Sequence, residues 1–160
     1  FVGTDGEGGG KFERADDLAR AIAVQWPAIN DGAKRYVVFT GGEPLLQLDE
    51  ALIIAVHAAG FEIAIETNGT LRAPEGVDWI CVSPKAGAPL VQKRGNELKL
   101  VYPQSGAEPE RFEDLAFDHF LLQPMWGDKT ADNMRAAARY CMEHPRWRLS
   151  VQTHKWIGIP

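Results

Sequence analysis

Tyr36-Val37-Val38-Phe39-Thr40-Gly41-Gly42-Glu43-Pro44 is the stretch whose reading decides the fold. Its first four residues are apolar and β-prone, and the glycines and proline behind them end a strand abruptly. Gly41 and Gly42 carry no Cβ, so another molecule can approach the backbone there. Glu43 can face a ligand cation, and Pro44 removes a backbone donor and stops the sheet ladder. The combination suits a pocket for a small molecule bearing a charged amino-acid group. An ordinary strand-to-helix turn also uses Gly and Pro, for conformational reasons alone.

The chain has 160 residues, 45% of them hydrophobic, which is enough for one globular domain with a real core. A formal net charge of −5 argues against non-specific binding to nucleic acid or to a membrane surface. No apolar run approaches the roughly 20 residues of a bilayer span. No basic, then apolar, leader is present, so the expected compartment is the cytoplasm. Cys81 lies in Trp79-Ile80-Cys81-Val82, and Cys141 on the stripe Met134, Ala137, Ala138, Cys141. Both are expected as small buried hydrophobes, not as ligands or a disulfide. Gly3 to Lys11 reads as a loop. The phosphate-loop spacing fails there, because Asp5 stands where the first glycine belongs and Phe12 where a Ser or Thr belongs. The chain begins at Phe1, so upstream material is expected to be missing.

Ala15, Leu18, Ala19, Ile22 and Trp26 recur at helical spacing up to Pro27. A second helix is expected from an Asp49 N-cap through Leu52, Ile53, Val56 and Ala59 to Gly60. Strands are expected over Tyr36 to Thr40, Phe61 to Glu66, Asp78 to Val82, Glu97 to Val101, His119 to Leu122 and Arg148 to Val151. Gln104 to Asp114 has room for one helical turn, and Thr130 to Glu143 is the last helix, with Thr130 as its cap. Strands alternating with helices point to α/β with mainly parallel strands. A complete eightfold barrel takes ~250 residues, so an open or partial barrel is expected.

In parallel α/β folds ligands bind beyond the carboxyl ends of the strands. Those ends carry Thr40 to Pro44, Glu66-Thr67-Asn68-Gly69, Ser83-Pro84-Lys85, Gln123-Pro124-Met125-Trp126 and Gln152-Thr153-His154-Lys155. Singly, Glu66 reads as a solvated charge, Lys85 as a surface lysine and His154 as an ordinary histidine. Together they describe a polar pocket over an apolar barrel. Glu43, Glu66 and Lys85, with hydroxyls and amides, suit a zwitterionic, ribose-bearing ligand. Met125 and Trp126 offer either a surface for a purine or rim packing.

Gly41-Gly42-Glu43-Pro44 resembles the motif with which radical S-adenosylmethionine enzymes meet the cofactor's methionine amino group. With Phe1 to Gly6, Glu66 to Gly69, Val82 to Lys85, Gln123 to Met125 and Gln152 to Pro160, the ordered set resembles 7-carboxy-7-deazaguanine synthases over nearly the whole chain. The resemblance implies a reduced β6/α3 partial barrel, taken as one domain over residues 1–160, and a carbon–nitrogen lyase. Its reaction contracts 6-carboxy-5,6,7,8-tetrahydropterin to 7-carboxy-7-deazaguanine with loss of ammonia, in the biosynthesis of 7-deazapurines such as queuosine. A reduced 4Fe-4S cluster there cleaves S-adenosylmethionine to a 5′-deoxyadenosyl radical, with Mg²⁺ assisting. A homodimer and an electron donor such as flavodoxin are implied as well. Carried over, Gly42, Glu43, Ser83, Pro84, Lys85, Gln123, Pro124, Met125 and Trp126 bind the cofactor, although Trp126 stands where the family varies. Thr40, His154 and Pro160 bind the substrate, Pro160 through its terminal carboxylate. Gly41, Glu66 and Asn68 line the pocket.

The family's three cluster-binding cysteines and its Mg²⁺-binding threonine lie upstream of the matched segments. An iron with an open position needs thiolates to hold it, so the 160 residues alone are expected to be inactive. Two other readings stand beside the synthase. One is an activase that installs a glycyl radical on a partner protein. The other is a non-catalytic nucleoside-binding domain.

Overall fold

The computed structural model describes residues 9–27 and 32–158. Helix α1 is Ala15–Gln25, strand β1 Arg35–Phe39, helix α2 Glu50–Ala58 and strand β2 Phe61–Thr67. Strands β3 (Trp79–Val82), β4 (Arg94–Tyr102) and β5 (Ala116–Pro124) follow. Helix α3 (Thr130–Glu143), strand β6 (Trp147–Leu149) and helix α4 (Thr153–Ile157) complete the order. The strands succeed one another in chain order, β1-β2-β3-β4-β5-β6. Pairing is parallel in β1–β2, β3–β4, β4–β5 and β5–β6, as the expected α/β class requires. Among the described residues no helix is long and apolar enough to cross a membrane.

Contacts gather the chain into two compact units, Phe1–Thr67 with Ala73–Ile80, and Asn68–Arg72 with Cys81–Pro160. In the first, β2 alternates so that Phe61, Ile63, Ile65 and Thr67 are buried while Glu66 is exposed. Helix α2 lays Leu52, Ile53 and Val56 into the same core, and Ala19 of α1 joins them. Trp26, just past α1, meets Phe61 edge-on at 5.8 Å. The Asp49 carboxylate accepts the Leu52 N–H at 2.8 Å, so the expected cap starts α2. Gly60, at φ +83°, lets the chain turn directly into β2. Parallel pairing sets Phe39 opposite Ile65, which brings the residues after β1 level with the end of β2.

In the second unit Val82, Leu98, Leu100 and Leu122 are fully buried. Trp147 closes that core, its ring edge-on to Phe120 at 5.2 Å and its indole N–H donated to Glu113 at 3.0 Å. Helix α3 buries Ala137 and Tyr140. The Tyr140 hydroxyl donates to Glu110 at 3.0 Å. Burial, with that carboxylate beside it, pushes the Tyr140 phenol well above its ordinary value.

Several expectations change. Strands β4 and β5 outrun their apolar centres, because they pair along their whole lengths from Arg94↔Ala116 to Tyr102↔Pro124. Strand β6 covers Trp147–Leu149, not 148–151, and the tail beyond it holds α4, which no periodicity announced. Thr130 is not a cap. It is the first helical residue, and its hydroxyl exchanges hydrogen bonds with the Gly127 backbone at 2.8 and 2.6 Å. Cys81 is buried as expected, but Cys141 is only half-buried, because Ala137 and Tyr140 take the core-facing line of α3. A 3₁₀ turn at Pro109–Arg111 fills the expected place.

After β2, Asn68 Oδ1 accepts the Thr70 N–H at 2.8 Å, and the Gly69 carbonyl accepts Val91 and Gln92 N–H groups at 2.8 and 3.0 Å. Gly69 has φ +78°, and a Cβ there would meet Leu90 Cδ1 at 2.6 Å and Val82 Cγ1 at 2.7 Å. Gly69→Ala therefore combines backbone strain with overpacking. It is expected to lower the unfolding free energy by about 2–4 kcal/mol in a urea titration, whereas Gly60→Ala, with open space around its position, loses only the conformational part.

Candidate active site

Two sets of predicted site residues emerge, one in each unit. In the first, the 3₁₀ turn Pro44–Leu46 follows Glu43, whose carboxylate caps it. Glu43 Oε1 accepts the Leu45 N–H at 3.1 Å and the Thr67 hydroxyl at 2.7 Å. Thr67 is 2% exposed, so this second bond is shielded from water. Thr40 Oγ1 donates to Glu66 Oε2 at 3.5 Å, the weaker link of the pair. Gly41 adopts φ +120°, with no atom within 4 Å of where a Cβ would stand. The Gly41-Gly42 backbone is thus exposed beside an immobilised carboxylate, an arrangement suited to an ammonium group. Thr40 and Pro44 also border a cavity of about 430 Å³ with Phe39, Gln47, Leu48 and Asp49.

In the second unit, Lys85 Nζ donates to Ser83 Oγ at 3.1 Å, between them the buried Pro84. Gln123 is half-buried and Pro124 buried at the end of β5. Met125 is fixed at both backbone ends. Its N–H donates to the Tyr102 carbonyl at 2.7 Å, and its carbonyl accepts Asn133 Nδ2 at 2.9 Å. Trp126 meets Trp156 edge-on at 6.1 Å, and Lys155 Nζ stands 4.9 Å from the Trp126 ring centroid. These contacts place Trp126 against the tail, and its ring remains 48% exposed. Asn68 is half-buried in its own turn, and His154 is exposed on α4. Pro160 and the opening Phe1 to Gly6 lie outside the described residues.

Residue-by-residue reading passed over Thr67 as a site group. The signal was available, since alternation from Ile65 points it inward, and a buried hydroxyl needs a partner. Asn133 and Trp156 carried no local signal, because their partners come from distant sequence.

Residues 4–100 match the Radical SAM superfamily, which sets the class of protein. A 7-carboxy-7-deazaguanine synthase of Bordetella pertussis is 66% identical over 160 residues, all of this chain and 75% of the relative. One from Bradyrhizobium diazoefficiens is 64% identical over 159 residues, again 75% of its length. The crystal structure of QueE from Escherichia coli superposes with a TM-score of 0.66 at 30% identity, over 86% of this chain and 63% of that one. The chain belongs to the 7-carboxy-7-deazaguanine synthase family of radical S-adenosylmethionine enzymes. The partial-barrel class expected from the sequence is that of this family.

Membership implies S-adenosylmethionine and a 4Fe-4S cluster. The open Gly41-Gly42 backbone beside the fixed Glu43 carboxylate fits the cofactor's amino group. The cluster does not fit the residues here. The chain has two cysteines, and no group of three His, Cys, Asp or Glu able to hold a metal exists among the described residues. Burial also pushes the Cys141 thiol up, away from the thiolate a cluster needs.

If Thr67 holds Glu43, Thr67→Val should lower the unfolding free energy by about 1–2 kcal/mol, the cost of a lost buried hydrogen bond. Thr67→Ser should recover most of the loss in the same denaturant titration.

Proposed function

We propose that the chain forms the cofactor- and substrate-holding part of an enzyme that converts 6-carboxy-5,6,7,8-tetrahydropterin to 7-carboxy-7-deazaguanine with loss of ammonia, a step of 7-deazapurine and queuosine biosynthesis. The observation that carries it is the Glu43 carboxylate, fixed by Thr67 and Leu45 beside the open Gly41-Gly42 backbone. The names of relatives 66% and 64% identical supply the product. When bound, S-adenosylmethionine supplies with a reduced cluster the radical that removes a substrate hydrogen.

This chain's residues bind and orient. Gly42 and Glu43 take the cofactor's amino group, an interaction of charged partners that gains from the shielding of Thr67. Ser83, Pro84, Lys85 and Gln123 to Trp126 form the remaining cofactor contacts. The Lys85–Ser83 hydrogen bond sets the direction of that polar pair. Thr40, its hydroxyl held by Glu66, binds the substrate, as do His154 and the Pro160 carboxylate, and Gly41, Glu66 and Asn68 line the pocket. Cluster and Mg²⁺ ligands come from outside the 160 residues, which by themselves do not turn over. The working enzyme is a cytoplasmic homodimer that receives electrons from a donor such as flavodoxin.

Full-length enzyme with a reconstituted cluster, given S-adenosylmethionine, reductant and the carboxytetrahydropterin, should yield 7-carboxy-7-deazaguanine by mass spectrometry. The 160-residue chain should yield none. Cofactor cleavage without that product in the full-length enzyme would overturn the substrate assignment, and turnover by the short chain would overturn the division of labour. Glu43→Ala should weaken cofactor binding about tenfold to hundredfold, the range for a hydrogen bond to a charged group. One glycine added after Pro160 should raise the KM for the pterin and leave cofactor affinity unchanged.

A further inference from the structure

Helix α4 has five residues, Thr153–Ile157, and Gly158 ends it at φ +70° with its N–H donated to the His154 carbonyl. A helix that short does not persist in water by its own hydrogen bonds, so contacts beyond itself must hold it. Its side-chain anchors are Trp156, edge-on to Trp126 at 6.1 Å and an interplanar angle of 89°, and Lys155, 4.9 Å from the Trp126 centroid. The anchor point is itself rigid. Met125 donates its N–H to Tyr102 and accepts from Asn133 at its carbonyl, and Gly127 is bonded to Thr130 at the start of α3. The two indoles remain 48% and 59% exposed. They therefore contribute little to the core of the fold and act mainly on each other.

We infer that Trp126, Lys155 and Trp156 form a clasp that positions the C-terminal segment for the substrate. Trp156 and Lys155 are positioning residues. They fix where His154 stands, and they touch neither cofactor nor pterin. The clasp also ties the segment Gln123 to Trp126 to the tail, so the cofactor side and the substrate side share one support. The inference rests on the reading under which His154 and Pro160 serve the substrate.

The test uses the full-length, cluster-reconstituted enzyme and two variants of an exposed residue that the fold does not need, Trp156→Ala and Trp156→Phe. Trp156→Ala should raise the KM for 6-carboxytetrahydropterin about fivefold to tenfold, the scale of an exposed aromatic pair with a cation on it. Its kcat and its affinity for S-adenosylmethionine should stay within about twofold, and Trp156→Phe should restore most of the KM. In an enzyme carrying one extra glycine after Pro160, Trp156→Ala should raise the KM no further, because both changes act through the same tail. Amide exchange at 153–158 should quicken in Trp156→Ala while the rest of the chain keeps its rates.

Unchanged exchange at 153–158, an unchanged pterin KM, additivity with the glycine extension, or an equal loss of cofactor affinity would each overturn the clasp. The last would instead assign Trp156 to supporting the cofactor contact at Trp126. Failure of the wild-type enzyme to turn over the pterin would count against the proposed function, and the exchange result would then decide alone whether the clasp holds the tail.

Discussion

Parallel pairing of β1 with β2 is the constraint from which the candidate site residues of the first unit follow. Parallel strands deliver both carboxyl ends to one edge, and the register Phe39↔Ile65 decides which residues arrive there together. Thr40 comes level with Glu66, and Glu43 returns through a 3₁₀ turn to meet the Thr67 hydroxyl. A slip of one residue would turn Thr67 to the other face of β2 and put Glu66 into the core. The buried run Phe61, Ile63, Ile65 forbids that slip, since it would expose the central apolar residues of the first unit.

The same logic separates what was legible in the sequence from what was not. Helices α1 and α2 could be read because their apolar periodicity and the Asp49 cap are local signals. The centres of β4 and β5 could be read for the same reason, but not their flanks, where Arg94 and Asp118 are polar and the strand is imposed by the neighbour. Thr130 looked like a cap by residue type. Its hydroxyl prefers the Gly127 backbone, and that choice depends on how the loop after Trp126 is held. Helix α4 could not be read at all, since five residues carry no period and its anchors lie nearly thirty positions away at Trp126.

Site residues divide along that line. Thr40, Glu43, Glu66 and Ser83 to Lys85 stood out as candidates because they lie at or just past strand ends, where a parallel sheet gathers polar groups. What escaped were the residues that act on those groups: Thr67 on Glu43, Asn133 on Met125, and Trp156 on Trp126. A first-row residue announces itself by its chemistry. Its supporting partner is defined by an approach in space that only the folded chain makes.

The right-angled indoles of Trp126 and Trp156 have an optical consequence. Two tryptophans held edge-on at 6.1 Å couple their electronic transitions, so the pair contributes circular dichroism that two separated indoles do not. The seating of the tail on its support is thereby written into the ultraviolet spectrum of the protein, readable without a label and on the timescale of a stopped-flow mixing experiment.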